Sequence, residues 1–302
     1  MSSIVILLST YNGERYLQGF VESIQKQSFV DWKLLVRDDG SNDHTLKLIR
    51  SLALEDKRIH LMGSHGNVGV VKSFSALSEE ALQMFPKVNY FMFADQDDVW
   101  LDFKIIKTFE EMKKQERDDD LPVLVHTDLK VVTSGLDEIS SSFMRYQQLR
   151  HERKQPLGVL LIQNFITGCT VMVNRRLLEL AVPFSSAVIM HDWWLGQCAA
   201  AAGSIGFVNE STILYRQHEN NTLGAIGFSK KVVKVLKRRF SLTKQERYKL
   251  NLQNLKDLID QSNQLYRVLK QQETLVEEET LLMLEEFSDI LYQNSSALLH
   301  KS

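Results

Sequence analysis

The chain has 302 residues, 44% hydrophobic and 25% charged, with a formal net charge of -2. That is enough apolar material for one large α/β domain with or without an appendage, and too even a charge balance for a global field that would draw in nucleic acid. Cys169 and Cys198 are the only cysteines, with neither C-x-x-C spacing nor an even framework, which excludes a disulfide-stapled secreted module and fits a reducing compartment. No basic n-region precedes the first apolar strand, and no apolar run approaches the roughly 18 to 20 residues that span a bilayer. The expectation is a cytoplasmic protein, soluble or peripheral on the inner face of the cell membrane.

Ile4 to Leu8 is an apolar run stopped by Ser9-Thr10-Tyr11-Asn12-Gly13, after which Tyr16, Leu17, Phe20, Val21 and Ile24 recur at helical spacing. The unit repeats. Lys33 to Arg37 ends in Asp38-Asp39-Gly40-Ser41 before a helix marked by Leu46, Ile49, Leu52 and Ala53. Ile59 to Met62 ends in Gly63-Ser64-His65-Gly66-Asn67-Val68-Gly69 before a helix carrying Phe74, Leu77, Ala81 and Leu82. Tyr90 to Ala94 forms the fourth strand and stops at Asp95-Gln96-Asp97-Asp98-Val99-Trp100. Strand-loop-helix units in series predict a mostly parallel central sheet with helices on both faces, and such sheets bind ligands beyond the carboxyl ends of their strands.

On its own a D-x-D pair reads as a solvated acidic loop, and Gly, Asn, Asp and Ser populate any turn. Four such loops along one edge favour a nucleotide site. Closely spaced carboxylates there call for a cation, and hard oxygen ligands favour magnesium or manganese with phosphates completing the coordination. A Gly-rich dinucleotide fingerprint and a G-x-x-x-x-G-K-[ST] loop are both absent, which disfavours NAD enzymes and P-loop ATPases.

From residue 121 the alternation lapses. Pro122 to His126 and Leu129 to Val132 read as strands, and Gly135 to Pro156 as a long polar stretch whose Arg145, Arg150, His151, Arg153 and Lys154 suit a mobile flap or acceptor loop, or a solvated connection. Gly168 to Val173 reads as a strand with Cys169 as a small core residue, and Asn174-Arg175-Arg176 as a helix start. His191-Asp192-Trp193-Trp194 opens a small-residue helix that ends at Gly203, with Asp192 at or near its N-cap. Ile205 to Val208 and Thr212 to Tyr215 read as short strands leading to Arg216-Gln217-His218.

These motifs in this order resemble glycosyltransferase family 2, inverting sugar-nucleotide enzymes of the GT-A fold. The resemblance rests on Ser9-Thr10-Tyr11-Asn12, Asp38-Asp39-Gly40-Ser41, Asn67-Val68-Gly69, Asp95-Gln96-Asp97-Asp98 and His191-Asp192. Asp-Gln-Asp-Asp-Val-Trp, His-Asp-Trp-Trp and Tyr215-Arg216-Gln217-His218 look most like bacterial rhamnosyltransferases that use dTDP-L-rhamnose in cell-surface polysaccharide synthesis. The resemblance implies that Tyr11 stacks on the pyrimidine with Ser9, Thr10 and Asn12 alongside, that Asp39 meets the base edge, and that Asn67, Gly69 and Lys72 line the nucleotide. It further implies Asp95 at the ribose, Asp97 and His218 on a divalent metal (Mn2+ or Mg2+), Asp192 as catalytic base kept ionised by its helix terminus, and His191, Trp193 and Trp194 at the sugar or acceptor. A β-linked donor would then give an α-L-rhamnoside on a saccharide or lipid-linked acceptor. Two departures stand out: His191 precedes the base where the wider family carries an acid, and Asp102-Phe103 replaces a common Pro-Asp. Asp98 is expected as support for the metal site or as the cap of a helix starting at Trp100.

The catalytic domain is expected over residues 1–225 and a helical region over 226–302. Ser229 to Phe240 carries six cations, Lys230 to Arg239, and no acids among Val and Leu, as in helices that lie on anionic membranes or that pack on a domain with a solvated basic face. Beyond Thr243, leucines at helical spacing predict two long helices forming a hairpin or a homodimer contact. Two other classes compete: a sugar nucleotidyltransferase, which would carry a G-x-G-x-R type loop that is missing here, and a non-catalytic nucleotide-sugar binding protein.

Overall fold

The computed structural model describes residues 3–63, 66–116, 121–218, 244–272 and 275–299. β1 (Ile4–Thr10), β2 (Trp32–Asp38), β3 (Ile59–Leu61) and β4 (Tyr90–Ala94) are joined by α1 (Leu17–Gln25), α2 (Thr45–Glu55) and α3 (Val70–Met84). They pair in parallel in the order β3-β2-β1-β4, with Thr10 opposite Asp38 and Leu8 opposite Ala94, so their polar ends lie at one edge. These strands are apolar throughout because both faces are covered. Val5, Leu7, Leu35, Phe91 and Phe93 pack on one side with α3, while Ile4, Ile6, Leu8, Leu34, Val36 and Met92 pack on the other with α1 and α2. Each fully buried Leu, Ile or Phe contributes about 1.5 to 3 kcal/mol.

The second half extends the same sheet with mixed polarity. β5 (Val99–Trp100), α4 (Lys104–Gln115), β6 (Val123–Val132), β7 (Glu138–Ser140), α5 (Phe143–Gln147), α6 (Pro156–Leu160), β8 (Met172–Asn174), α7 (Arg175–Ala181), α8 (His191–Ala202) and β9 (Ser204–Arg216) continue the order as β4-β8-β6-β9-β5. β8 runs antiparallel to both β4 and β6, and β6 runs parallel to β9. Asn174 caps α7 by accepting from Leu177 N at 3.0 Å.

Several boundaries differ from the sequence expectation. β6 and β9 are each continuous where two strands were expected, and their ladder shifts register around Asp128 instead of breaking. The polar residues at that point are satisfied within the sheet: Thr127 and Thr212 hydroxyls meet at 2.7 Å, and Asp128 accepts from Leu129 N and Met144 N. Gly168–Thr170 is a 3-10 turn and the strand begins only at Met172. Val99 and Trp100 pair with β9 rather than starting a helix, so Asp98 is not a helix cap. α8 has Met190 at its N-cap position, which leaves Asp192 in the first turn. The polar stretch 135–156 is ordered by β7 and α5, whose Ser142 donates to Asp128 and caps the helix through Arg145 N.

The two C-terminal helices, Lys244–Lys270 and Glu278–Leu299, pack on one another, and Leu265, Leu269 and Leu284 join the α8 side of the core. Fully buried Gln261 accepts from Ile189 N at 2.7 Å and donates to Gln197 Oε1 at 3.0 Å, so this hairpin grips both the approach to α8 and its middle. The basic stretch 230–239 and the expected boundary at 225 lie outside the described residues. Among the described residues no helix is long and apolar enough to cross a membrane.

Trp194 is 1% exposed and donates its indole N–H to Ala181 O at 2.9 Å, so it is a core residue and not a sugar platform. Trp194→Ala is expected to destabilise the protein by about 3 to 5 kcal/mol, read as a lower urea midpoint at unchanged slope.

Candidate active site

The β1 end is held in place by its neighbours. Ser9 and Ser73 hydroxyls meet at 2.6 Å, and buried Thr10 donates to Asp38 Oδ1 at 2.9 Å. Tyr11 is 47% exposed, yet Gln96 holds its backbone from both sides, accepting from Tyr11 N at 3.0 Å and donating to Tyr11 O at 2.9 Å. Asn12 adopts a left-handed conformation (φ 49), fixed by Ser41 Oγ on its amide and by Asn42 N donating to its side chain. An exposed aromatic ring is thereby carried on a rigid loop, which lowers the entropy lost when a planar group stacks on it.

Asp39 joins the second and third loops. Its carboxylate accepts from Val68 N and Gly69 N, each at 2.9 Å, and pairs with buried Arg37, which also donates to Ser73 Oγ. Both oxygens are thus engaged within the protein and the residue is 4% exposed. Gly40 sits at φ 83, and a Cβ there would come within 3.0 Å of Asn67 N. Asn67 and Lys72 are exposed beside this joint, with Gly69 half-buried between them.

At the β4 end the carboxylates separate into two environments. Asp97 Oδ2 lies 2.7 Å from His218 Nε2, so the two expected metal ligands, 121 positions apart, are in contact. The His218 ring stacks on Tyr16 at 5.0 Å, and the Arg216 guanidinium lies 4.6 Å from the same ring while donating to Asp97 O. Asp98 points inward: Oδ1 accepts from Arg216 N at 3.3 Å, and Oδ2 is buried without a partner among the described residues. Asp95, Asp98 and Cys169 place one donor atom each within 4.8 Å of one another.

Burial dominates the electrostatics of this cluster. Burial, with Asp97 and Asp95 nearby, pushes Asp98 well above the usual carboxylate range. Burial, then the charges of Asp97 and Asp192, lifts Asp95 to about 7. Lys104, which feels the charge of Asp98, is fully buried, which drops it to about 7 and weakens it as a counter-ion. Clustered oxygen donors with an orphaned buried carboxylate oxygen fit a hard divalent cation.

Across from the carboxylates, Asp192 Oδ1 accepts from Trp193 N at 2.6 Å and Asn164 Nδ2 at 3.1 Å. Burial outweighs these bonds and raises it to about 6, above the fully ionised state expected from its helix terminus alone. His191 is held between Phe74 at 4.2 Å and Phe93 at 5.4 Å, both ring nitrogens lack partners among the described residues, and burial lowers it to about 3. It is a neutral imidazole packed under the site. Only a glycine fits at 168, where a Cβ would come within 2.6 Å of His191 Nε2. Trp193 is half-buried with its indole N–H donated to Leu160 O. Of the three residues expected at a sugar, His191 and Trp194 are therefore enclosed and Trp193 is partly so. Gln96, Tyr16, Asn164 and Cys169 were missed; only Gln96, inside the acidic motif, carried any sequence signal.

An open α/β sheet with four polar strand ends, a contacting Asp–His pair and a separate buried carboxylate defines a nucleotide-sugar transferase of the GT-A fold. The chain belongs to Glycosyl transferase family 2, whose sequence signature matches residues 5–180. It is 26% identical over 231 residues to the dTDP-rhamnosyl transferase RfbG of Shigella flexneri, covering 72% of this chain and 74% of that protein. The S. aureus TarS 1-349 structure in complex with UDP-GlcNAc superposes with a TM-score of 0.54 at 14% identity, covering 99% of this chain and 92% of that one. GalNAc-T7 with UDP, GalNAc and Mn2+ gives a TM-score of 0.54 at 11% identity, covering 73% of this chain and 45% of that one.

Removing Arg37 strands a buried carboxylate, so Arg37→Ala is expected to cost about 3 to 5 kcal/mol. Adding Asp39→Asn to it should recover part of that loss in urea melts; a double variant less stable than the sum of the singles would contradict the pairing.

Proposed function

We propose that the chain is a metal-dependent inverting rhamnosyltransferase, taking L-rhamnose from dTDP-L-rhamnose to a saccharide or lipid-linked acceptor in bacterial cell-surface polysaccharide synthesis. The observation that carries the transfer chemistry is the placement of Asp192. It is a carboxylate lifted to about 6 by burial, within electrostatic reach of Asp95 but on a different element from the Asp97–His218 pair. A base of that pKa is ionised at neutral pH and stronger than an exposed aspartate, which suits removal of the acceptor hydroxyl proton. Asn164 and the Trp193 amide orient it. Attack from the Asp192 side, opposite the nucleotide, displaces the diphosphate with inversion.

In this reading Tyr11 stacks on the pyrimidine, with Ser9, Thr10 and Asn12 forming the loop that presents it. Asn67, Gly69 and Lys72 line the diphosphate side, and Asp95 faces the ribose. Asp39 acts one step back by holding the Asn67–Gly69 loop. Asp97 and His218 would hold Mn2+ or Mg2+, which supplies Lewis-acid stabilisation to the leaving diphosphate; the Mn2+ in GalNAc-T7 supports a divalent ion. Residues 1–225 are the catalytic domain and 226–302 an appendage, whose basic stretch from Lys230 to Arg239 would rest on an anionic membrane at the cytoplasmic face.

RfbG supports rhamnose as the donor sugar. The UDP-GlcNAc held by TarS favours a second reading, the same reaction with another UDP- or dTDP-sugar. Thermal shift with dTDP-L-rhamnose against UDP-GlcNAc separates them, since the true donor gives the larger stabilisation at equal concentration.

Asp192→Asn should lower transfer by about a thousandfold while dTDP affinity in titration calorimetry stays within about twofold; an active variant would remove Asp192 as the base. Because protonation abolishes the base, kcat should fall about tenfold per pH unit below about 6 and level off above it. EDTA should stop transfer and added Mn2+ or Mg2+ restore it, with Asp97→Asn needing more metal for half-maximal rate.

A further inference from the structure

Away from the strand-end loops, Arg145, Arg150 and Arg153 line one cavity of about 630 Å³ on the outer side of β6 and β9, together with Asp128, His151 and Asn209. All three arginines are exposed, and among the described residues no carboxylate lies within ion-pair distance of any of them. The Arg145 guanidinium donates to the hydroxyl of Ser141 at 3.2 Å. The acid on the wall, Asp128, is met by Ser142 Oγ, Leu129 N and Met144 N and points its charge into the protein. Glu152 is engaged by Lys154 N and, with Glu111, lines an adjoining groove that Arg153 and His151 also border. Three exposed cations thus line one concave surface with no carboxylate in ion-pair distance among the described residues, an arrangement that favours an anion there.

The polar wall complements the charge. His151 Nδ1 lies 3.0 Å from His126 Nε2, and the His151 ring stacks on Phe207 at 5.0 Å. Burial holds His151 at about 4, so it enters the cavity as a neutral group rather than a fourth charge. Phe165 packs on both imidazoles, at 5.9 and 5.8 Å, and its neighbour Asn164 holds Asp192. The cavity therefore lies on the Asp192 side of the site, separated from that carboxylate by Phe165 and Asn164.

A neutral glycan needs no such charge, whereas guanidinium forks match phosphate oxygens in pairs, and the volume is within the range of small-ligand sites. We propose that this cavity binds the phosphate groups of the acceptor, seating the anionic linkage beyond the accepting sugar so that its hydroxyl reaches Asp192. This rests on the glycosyl-transfer reading for its place in the reaction, but anion binding stands on the cavity alone. Two sources share the chemistry: a lipid diphosphate, or a soluble polyol phosphate chain.

The test titrates inorganic diphosphate, in EDTA, into the full-length chain and into its R145Q/R150Q/R153Q variant, with Lys72→Gln as a control on the nucleotide side. The wild type should bind, and the triple variant should lose about tenfold or more in affinity. Each single arginine variant should lose about two- to fivefold, which decides the matter if the triple variant does not fold. No binding to wild type, equal binding by the arginine variants, or a loss confined to Lys72→Gln overturns the proposal. Geranyl diphosphate binding more tightly than glycerol 3-phosphate assigns a lipid carrier; the reverse order assigns a soluble chain. dTDP titrated into the same proteins keeps the two readings apart: arginine variants that bind dTDP normally but diphosphate unchanged sink only this inference, and failure of dTDP to bind wild type sinks only the transfer reading.

Discussion

Negative charge held out of water at the end of β4 is the constraint around which the rest of the structure is arranged. Asp95 and Asp98 are raised by burial and by their neighbours, Cys169 lies against both, and the one buried lysine nearby is itself weakened by desolvation. Such a cluster persists in a folded protein only where something else restrains it. Here the end of β9 does so, delivering Arg216 and, just beyond it, His218 to the Asp97–Asp98 backbone and side chains while the Tyr16 ring lies against both the Arg216 guanidinium and the His218 imidazole.

The same logic recurs at lower charge density. Asp39 is buried with Arg37 and ties two loops together through backbone amides, so two strand ends are fixed relative to one another. Asp192 is buried with Asn164 and its own helix amide, and the C-terminal hairpin fixes that helix through Gln261. Each of these carboxylates has at least one partner distant in sequence, Val68 and Gly69 for Asp39 and Asn164 for Asp192, and rigidity of that kind is what can position reacting groups.

How much was legible follows from how local each signal is. The β1–β4 units were readable because a strand buried on both faces is an uninterrupted apolar run that ends where the chain meets solvent. The second half was not, because β6 and β9 carry polar residues such as Thr127, Asp128 and Thr212 that bond to one another inside the sheet and so imitate loops. Trp193 and Trp194 illustrate the limit for single residues: adjacent in a helix, they point about 100° apart, and only packing says that one is enclosed and the other half-exposed.

The sequence by itself determined the order of the strand-loop-helix units, the edge on which their polar ends gather, and the family those motifs belong to, since each depends on residues close together in the chain. Tertiary structure alone decided that Asp97 meets His218, that Asp39 faces inward to Arg37, that Asp98 rather than a helix cap completes the acidic cluster with Cys169, and that Asp192 is lifted to about 6. Those outcomes depend on burial and on partners far away in sequence. Desolvation and Coulomb energies are properties of the folded environment, which no local pattern encodes.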